Sequence, residues 1–275
     1  MKAGSAIKYM SEPIINLQSW LATPPGQALL HWEQAQLDLA VADVFGYHAL
    51  QLGLPQINAL QANRMPHQWR ADREQSEGVQ LHCDFEALPF PEASLDLVAM
   101  PHALELSFDA HASLREAARV LVPEGRVVIT GFNPSSLWGL KQRRAHLYRR
   151  FGVGTLYLPE AGEFLGYWRL RDWLRLLGFE VESSNFGLWH PAVRSEQWLA
   201  RTEWMNRLGA KYWPIFGAAY CVVAVKRVRG MRTLGASWKR LPQRVGSPVP
   251  VAPRSAQSSG HQAAHQAKVS VSTSD

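Results

Sequence analysis

Cysteine is nearly missing from this chain: Cys83 and Cys221 are the only two among 275 residues. Such a pair provides neither a disulfide framework nor any of the usual zinc spacings. Each falls in or beside a stretch of strand character, where a buried, reduced thiol is the ordinary reading. No run approaches 18 consecutive apolar residues, and the first residues lack the basic-then-apolar layout of an export signal. A cytoplasmic protein without membrane contact is therefore expected. His261 and His265 stand four apart in a polar stretch and are not expected to hold a metal. No internal repeat is visible. The formal net charge of +6 is unevenly spread, because residues 226–275 hold nine of the 29 Lys and Arg and one of the 23 acids. The remainder is close to neutral, so the basic balance belongs to the tail and is weak support for a nucleic-acid-binding domain.

What is present centres on residues 81–133. Two strand-length apolar runs, Leu95–Met100 and Arg126–Thr130, flank a helical pattern with Leu114, Ala117, Ala118 and Leu121 on one face. Pro123 and Gly125 stop that helix. Strand, helix and strand over this length predict a βαβ unit with parallel neighbours and a right-handed crossover. Both strands read as continuous apolar runs broken only by Asp96 and the end residues Arg126 and Thr130, as expected where helices cover both faces of a sheet.

Asp84-Phe85-Glu86-Ala87-Leu88-Pro89-Phe90, Ser94-Leu95-Asp96-Leu97-Val98, Leu114-Arg115-Glu116, Arg119-Val120-Leu121 and Pro123-Glu124-Gly125-Arg126 follow one another at a characteristic spacing. This order resembles the middle third of class I S-adenosylmethionine-dependent methyltransferases, most nearly the type 11 branch. The resemblance implies an α/β fold, a doubly wound, Rossmann-like seven-stranded sheet, with S-adenosylmethionine across the carboxyl ends of the strands. It also implies a role for particular residues. Asp84 matches the acid that accepts a hydrogen bond from the adenine amino group, with Phe85 covering the ring; the alternative for Asp84 is a helix cap. Met100 and Pro101 stand where backbone contacts reach the methionine part of the cofactor. His102 is the candidate general base, should the acceptor need to lose a proton, or else it simply opens the next helix.

The first strand, expected at His48–Leu52, departs from the family. The acid and glycine-rich turn are reduced to Gln51-Leu52-Gly53-Leu54-Pro55. Gln51 takes the place of the acid and Gly53 that of the first glycine, while Pro55 removes an N–H donor. Residues 56–80 contain no clear second strand ending in an acid that would grip the ribose, and Asp72 is a poor candidate.

The remaining expectations concern organisation. Residues 1–42 form an N-terminal helical segment, with a helix from about Pro25 to Ala42, that either covers the cofactor or packs on the sheet edge. Residues 43–230 form the methyltransferase domain, with insertions at about 137–167 and 187–216, and residues 231–275 form a disordered basic tail. A helix at Arg169–Leu177, a sixth strand at Phe179–Ser183 and an antiparallel closing strand at Ala219–Val228 are expected. Asn133-Pro134 reads as a turn whose asparagine faces the substrate. Seven of eleven tryptophans lie between Trp138 and Trp213, as extra core or as the walls of a pocket or interface. Lys141, Arg143, Arg144, Arg149 and Arg150 read as a solvated helix face or an anion site. Function then has three readings: methyl transfer to an unidentified acceptor, a binding or regulatory protein that has lost catalysis with its glycine loop, or an RNA-modifying enzyme whose tail collects its substrate.

Overall fold

A computed structural model describes residues 17–149, 156–159, 164–193 and 195–227. The chain divides into two units, 1–230 and 231–275, and every described residue belongs to the first. The expectations for residues 1–16, for Arg150 and for the tail lie outside the described residues.

Two helices open the chain, α1 (Leu17–Leu21) and α2 (Pro24–Val41), joined at Thr23, whose hydroxyl donates to the Trp20 carbonyl at 2.6 Å. Pro24 and Pro25 begin α2, where a missing N–H costs nothing. Its buried stripe runs Leu29, Glu33, Leu37, Val41, one residue per turn, with a carboxylate among the aliphatics. Strands β1 (His48–Leu52), β2 (His67–Asp72), β3 (Leu81–His82) and β4 (Leu95–Pro101) follow. Next come α3 (Ala103–Leu106), α4 (Ala110–Val120) and β5 (Leu121–Phe132). The Asp109 carboxylate caps α4 by accepting from the His111 and Ala112 amides. The last third contains α5 (Leu137–Arg149), α6 (Tyr167–Leu176), β6 (Phe179–Gly187), α7 (Glu196–Arg201), α8 (Trp204–Tyr212), a 3₁₀ turn at Pro214–Phe216 and β7 (Ala219–Lys226).

The seven strands lie in the order β3-β2-β1-β4-β5-β7-β6, parallel except for β7, which is antiparallel to both neighbours. This is the doubly wound sheet expected from the sequence. Strand order reverses between β1 and β4, so a crevice opens at their carboxyl ends. Leu97, Ala99 and Val128 pack under α1 and α2, whereas Val98, Met100, Val127 and Ile129 face α4 and α6. Each fully buried Leu, Val or Met contributes roughly 1.5–3 kcal/mol.

One expectation fails here. A second strand does exist, β2, pairing His48 with His67 through Leu52 with Ala71, and it ends in Asp72. Its only apolar members are Trp69 and Ala71, because it sits near the sheet edge, and so it carries no aliphatic run. The rings of His48, His67 and Trp69 stack in its place. Strand β5 is also longer than expected. Leu121 already pairs with Leu95, and after a turn at Glu124 (φ 65°) the chain rejoins the sheet with Arg126 opposite Leu97, across an irregular register.

The residues that carry the family resemblance prove to be fasteners. The Asp96 carboxylate accepts the Tyr47 and His48 amides at 2.8 and 2.9 Å, setting β1 against β4. Arg119 pairs with Glu116 and donates to the Leu88 and Phe90 carbonyls, holding the loop before β4 against α4.

Candidate functional site

The carboxyl edge has two halves. On the first, Gly53 (φ 73°) turns the chain out of β1, with its N–H given to the Ala71 carbonyl. The next residue, Leu54, also takes a left-handed conformation, at φ 43°. What holds this turn without further glycines is Gln51. Its side-chain amide donates to the Ile57 carbonyl at 2.8 Å and to Gly53 and Leu54 at 3.3 Å, and its oxygen accepts the Ala59 amide at 2.9 Å. Gln51 is thus spent inside the protein. A Cβ built on Gly53 would meet the Pro101 carbonyl at 3.4 Å and Ala103 at 3.5 Å. The exits of β1 and β4 are therefore in near contact, with room for a methyl group between them.

Asp72 stands at the end of β2, half-buried, with one oxygen accepting the Arg73 amide at 2.7 Å. Burial raises its pKa above the ordinary carboxylate value, although that hydrogen bond opposes the shift. Asp72 and Arg73 line a cavity of about 110 Å3 with Leu54, Pro55, Leu106 and, from α1, Leu17. Arg73 reaches across it. Its guanidinium pairs with Asp84 at 3.3 Å, donates to the Leu106 carbonyl at 3.2 Å, and lies 3.6 Å from the Phe108 ring centroid. Asp84 is largely exposed apart from this pair, with 69% of its side chain open.

Met100, Pro101, Phe85 and His102 sit differently. All four are buried; the Phe85 ring belongs to the apolar cluster that holds Leu50, Leu52, Leu88 and Met100, with the Arg73 guanidinium over it at 5.9 Å from the ring centroid. His102 takes a left-handed backbone at φ 51° ahead of α3, and its ring is fully enclosed. Nδ1 lies 2.6 Å from Glu105 and Nε2 lies 2.8 Å from Glu33 of α2. Burial alone would depress its pKa, but the Glu33 and Glu105 charges and their hydrogen bonds outweigh it and hold it up at about 10. A ring with both nitrogens engaged and a proton retained at neutral pH has no lone pair for an acceptor. The geometry therefore assigns His102 to a buried ion cluster that ties α2 to the end of β4, which corrects its reading as a base. Glu105 extends the cluster by accepting the Phe132 amide at 2.5 Å, and burial raises its pKa. Gly131 makes room for this approach: a Cβ there would meet Glu105 at 3.0 Å and the Tyr220 hydroxyl at 2.8 Å.

The second half is built by α5, α8 and the segments beside them. The Asn133 amide donates to the Ile215 and Gly217 carbonyls at 2.7 and 2.9 Å, and the residue also borders a cavity beside α5. It anchors the chain between β5 and α5. Beside it opens a cavity of about 590 Å3 between α5 and α8, lined by Leu137, Leu140, Trp204, Leu208, Trp213 and Phe216, with Arg143 at its margin. A second cavity of about 360 Å3, reaching Asn133, Phe164 and Tyr167, shares Pro134, Ser135 and Arg143 with it. The tryptophans of this region divide: Trp138 is core, its indole donating to the His190 carbonyl, whereas Trp168, Trp198, Trp204 and Trp213 are exposed. A further groove of about 520 Å3 around Arg171, Arg175 and Arg227 lies at the opposite edge, where β6 begins and β7 ends.

Of the residues singled out in the sequence, Gly53 forms the turn after β1 that Gln51 braces, Asp84 pairs with the cleft-lining Arg73, and Phe85, Met100, Pro101 and His102 are buried. Asp72 is only a poor candidate in the sequence, and Arg73 carries no reading there. Their signal was spacing, since Asp72 stands about 20 residues past Gly53, where a ribose-binding acid is expected in nucleotide folds.

A family described as a methyltransferase domain matches residues 37–129. The chain is 32% identical over 172 residues to uncharacterized protein YafS of Escherichia coli, covering 62% of this chain and 68% of that one. It is 30% identical over 192 residues to the demethylmenaquinone methyltransferase of Deinococcus radiodurans, covering 62% and 79%. Among solved structures it is similar in fold to the Haloferax volcanii putative methyltransferase seen in complex with the Trm112 methyltransferase activator. That likeness has a TM-score of 0.50 and 20% identity, over 78% of this chain and 98% of that one.

Proposed function

Given that the chain belongs to the class I S-adenosylmethionine-dependent methyltransferase family, we propose that it binds S-adenosylmethionine at the carboxyl ends of β1, β2 and β4 and methylates an acceptor held by the α5 and α8 side. The observation that carries this reading is a polar cleft beside the point where strand order reverses: Asp72, at the end of β2, lines it, and Arg73, which also lines it, pairs with Asp84 after β3.

The donor set fits the adenosine half of the cofactor. Asp72 can accept from ribose hydroxyls, and Asp84 can accept from the adenine amino group. The space is smaller than the donor set: about 110 Å3 against roughly 300–1,000 Å3 for ordinary ligand sites. Arg73 lines that space with its side chain 15% exposed, and its individual contacts are modest. An ion pair with the largely open Asp84 is worth about 0–1 kcal/mol and a cation–π contact about 0.5–1 kcal/mol, with Glu86 a further 3.9 Å neighbour. One charge-assisted hydrogen bond gained by Asp84 returns about 1.5–3 kcal/mol.

The cofactor would supply a sulfonium methyl open to in-line displacement. The chain's own contribution is to orient the partners and keep water out. Among the described residues, no carboxylate or histidine lines either cavity beside α5. We therefore read catalysis as positioning, with an acceptor that arrives ready to react. The reading in which the fold has lost catalysis draws support from the Arg73 plug and the closed exits of β1 and β4. Equilibrium binding of S-adenosylhomocysteine separates the two: a methyltransferase binds it and loses affinity on Asp72→Ala, whereas a protein that has lost the site gives no heat.

A further inference from the structure

The methyl acceptor is the part of the reaction that the family leaves open, and the apolar cavity narrows it. We infer that this cavity takes a small amphipathic anion, with an apolar, ring-sized body between α5 and α8 and its charged group at Arg143. The inference rests on the methyltransferase reading above and specifies its acceptor.

Three observations converge. The first is exposure: Leu137, Leu140, Trp204, Leu208, Trp213 and Phe216 are each more than 40% open, yet all six line one concavity. Apolar surface is not left so concentrated without something to cover it. The second is size and place. About 590 Å3 falls within the range of small-molecule sites, and the cavity begins at Pro134–Ser136, immediately beyond β5. Its 360 Å3 neighbour continues inward to Phe164, which stacks edge-on against Phe132 at 5.4 Å, and Phe132 lies 4.6 Å from His102 at the end of β4. The third is charge. Among the described residues Arg143 is the one charged residue lining the 590 Å3 cavity and has no ion pair, and it also lines the neighbouring cavity, where Arg169 joins it. Its neighbours on α5 are differently engaged: Lys141 donates to the Ala192 carbonyl at 2.5 Å and lies over Tyr157, while Arg144 lies near Tyr148. A lone guanidinium beside an apolar hollow selects an anion with an apolar body over a neutral lipid or a cation.

The test uses the full chain and two fluorescent probes, 8-anilinonaphthalene-1-sulfonate and its neutral counterpart N-phenyl-1-naphthylamine, with S-adenosylhomocysteine titrated in parallel. Saturable one-to-one binding of the sulfonate is expected. Leu140→Glu and Leu208→Glu place a charge in the hollow and should weaken both probes by tenfold or more. Arg143→Ala should weaken the sulfonate by about tenfold and the neutral probe hardly at all, with Arg143→Lys restoring part of the loss. Leu140 and Arg143 are exposed, so unchanged melting temperatures will show that the variants remain folded. Probe binding that ignores Leu140→Glu, or an Arg143→Ala effect equal for both probes, would overturn the inference. So would non-saturating probe binding together with Leu140-dependent sedimentation on anionic vesicles, which would make the face a membrane contact. Failure of S-adenosylhomocysteine to bind while the sulfonate binds as expected would remove the methyltransferase reading and leave the anion site standing.

Discussion

The two halves of the carboxyl edge obey opposite rules. The half beside β1, β2 and β4 carries the family's motif residues and is filled by the chain's own side chains: Gln51 stitches the first turn, Arg73 lies on Asp84, and about 110 Å3 remains. The half beside β5 and β6 carries no motif and keeps a hollow of about 590 Å3 walled by exposed aromatics. Between them lies the Glu33–His102–Glu105 cluster, reached by neither. A motif marks where a ligand can be recognised; it does not guarantee space. Space, where the chain provides it, comes here from α5 and α8, whose exposed apolar faces the sheet does not use.

The comparison breaks most severely at the seam. His102→Ala would strand two buried carboxylates, and removing one partner of a buried ion pair typically costs about 3–5 kcal/mol. Urea unfolding should register a loss of that order, partly reversed by adding Glu33→Gln. If His102→Ala unfolds like the wild type, the cluster is not what joins α2 to β4. The same cluster sets a pH dependence. His102 holds its proton to about pH 10 in the folded protein, against roughly 6.5 when unfolded. Its contribution to stability is therefore complete below about pH 6.5 and is lost as pH rises through 10. Glu105, whose pKa is also raised, adds in the same direction. The melting temperature should fall across that window, and the slope should flatten in His102→Gln. A profile that rises with pH would contradict the assignment.

The next effect belongs to the cofactor half. Asp72→Ala and Asp84→Ala should each weaken S-adenosylhomocysteine by roughly ten- to a hundredfold, the value of about 1.5–3 kcal/mol for one charge-assisted hydrogen bond. Glu77→Ala, on the exposed turn after β2, should leave affinity unchanged. Equal losses at all three positions would mean that the effect is not local to the cleft. The smallest effect is expected at Arg73. Removing the plug should tighten binding by several-fold, since roughly 1 kcal/mol of ion-pair and cation–π contact no longer has to be broken. Weaker binding after Arg73→Ala would instead make the guanidinium a ligand contact.

The limits of what the sequence reveals follow from the same physics. The βαβ unit at 95–132 was legible because its strands are covered on both faces and so spell themselves in aliphatics. β2 was not, since an outlying strand built on His67, Trp69 and Ala71 has no such run, and with it went the role of Asp72. His102 could be placed beside the cleft, but burial and partners decide whether a histidine is a base. Its partner Glu33 comes from a helix 69 residues earlier. A hint was present in α2, where Glu33 interrupts an otherwise apolar stripe. Gln51 was noted as the replacement for an acid, yet its four bonds to the turn depend on a loop path that no spacing encodes. The exposed tryptophans could not be told from core by composition, since periodicity shows that a helix has an apolar face and not whether anything lies against it.

The claim on which all of this depends is that the polar cleft is a cofactor site held closed by its own arginine. Calorimetric titration of S-adenosylhomocysteine into the wild type, Arg73→Ala and the Arg73→Ala/Asp84→Ala double variant tests it directly. Weak binding by the wild type is expected, tighter binding by Arg73→Ala, and a loss of about ten- to a hundredfold on adding Asp84→Ala. No heat with either the wild type or Arg73→Ala at about millimolar ligand would contradict it, because removal of the plug would then have uncovered no site.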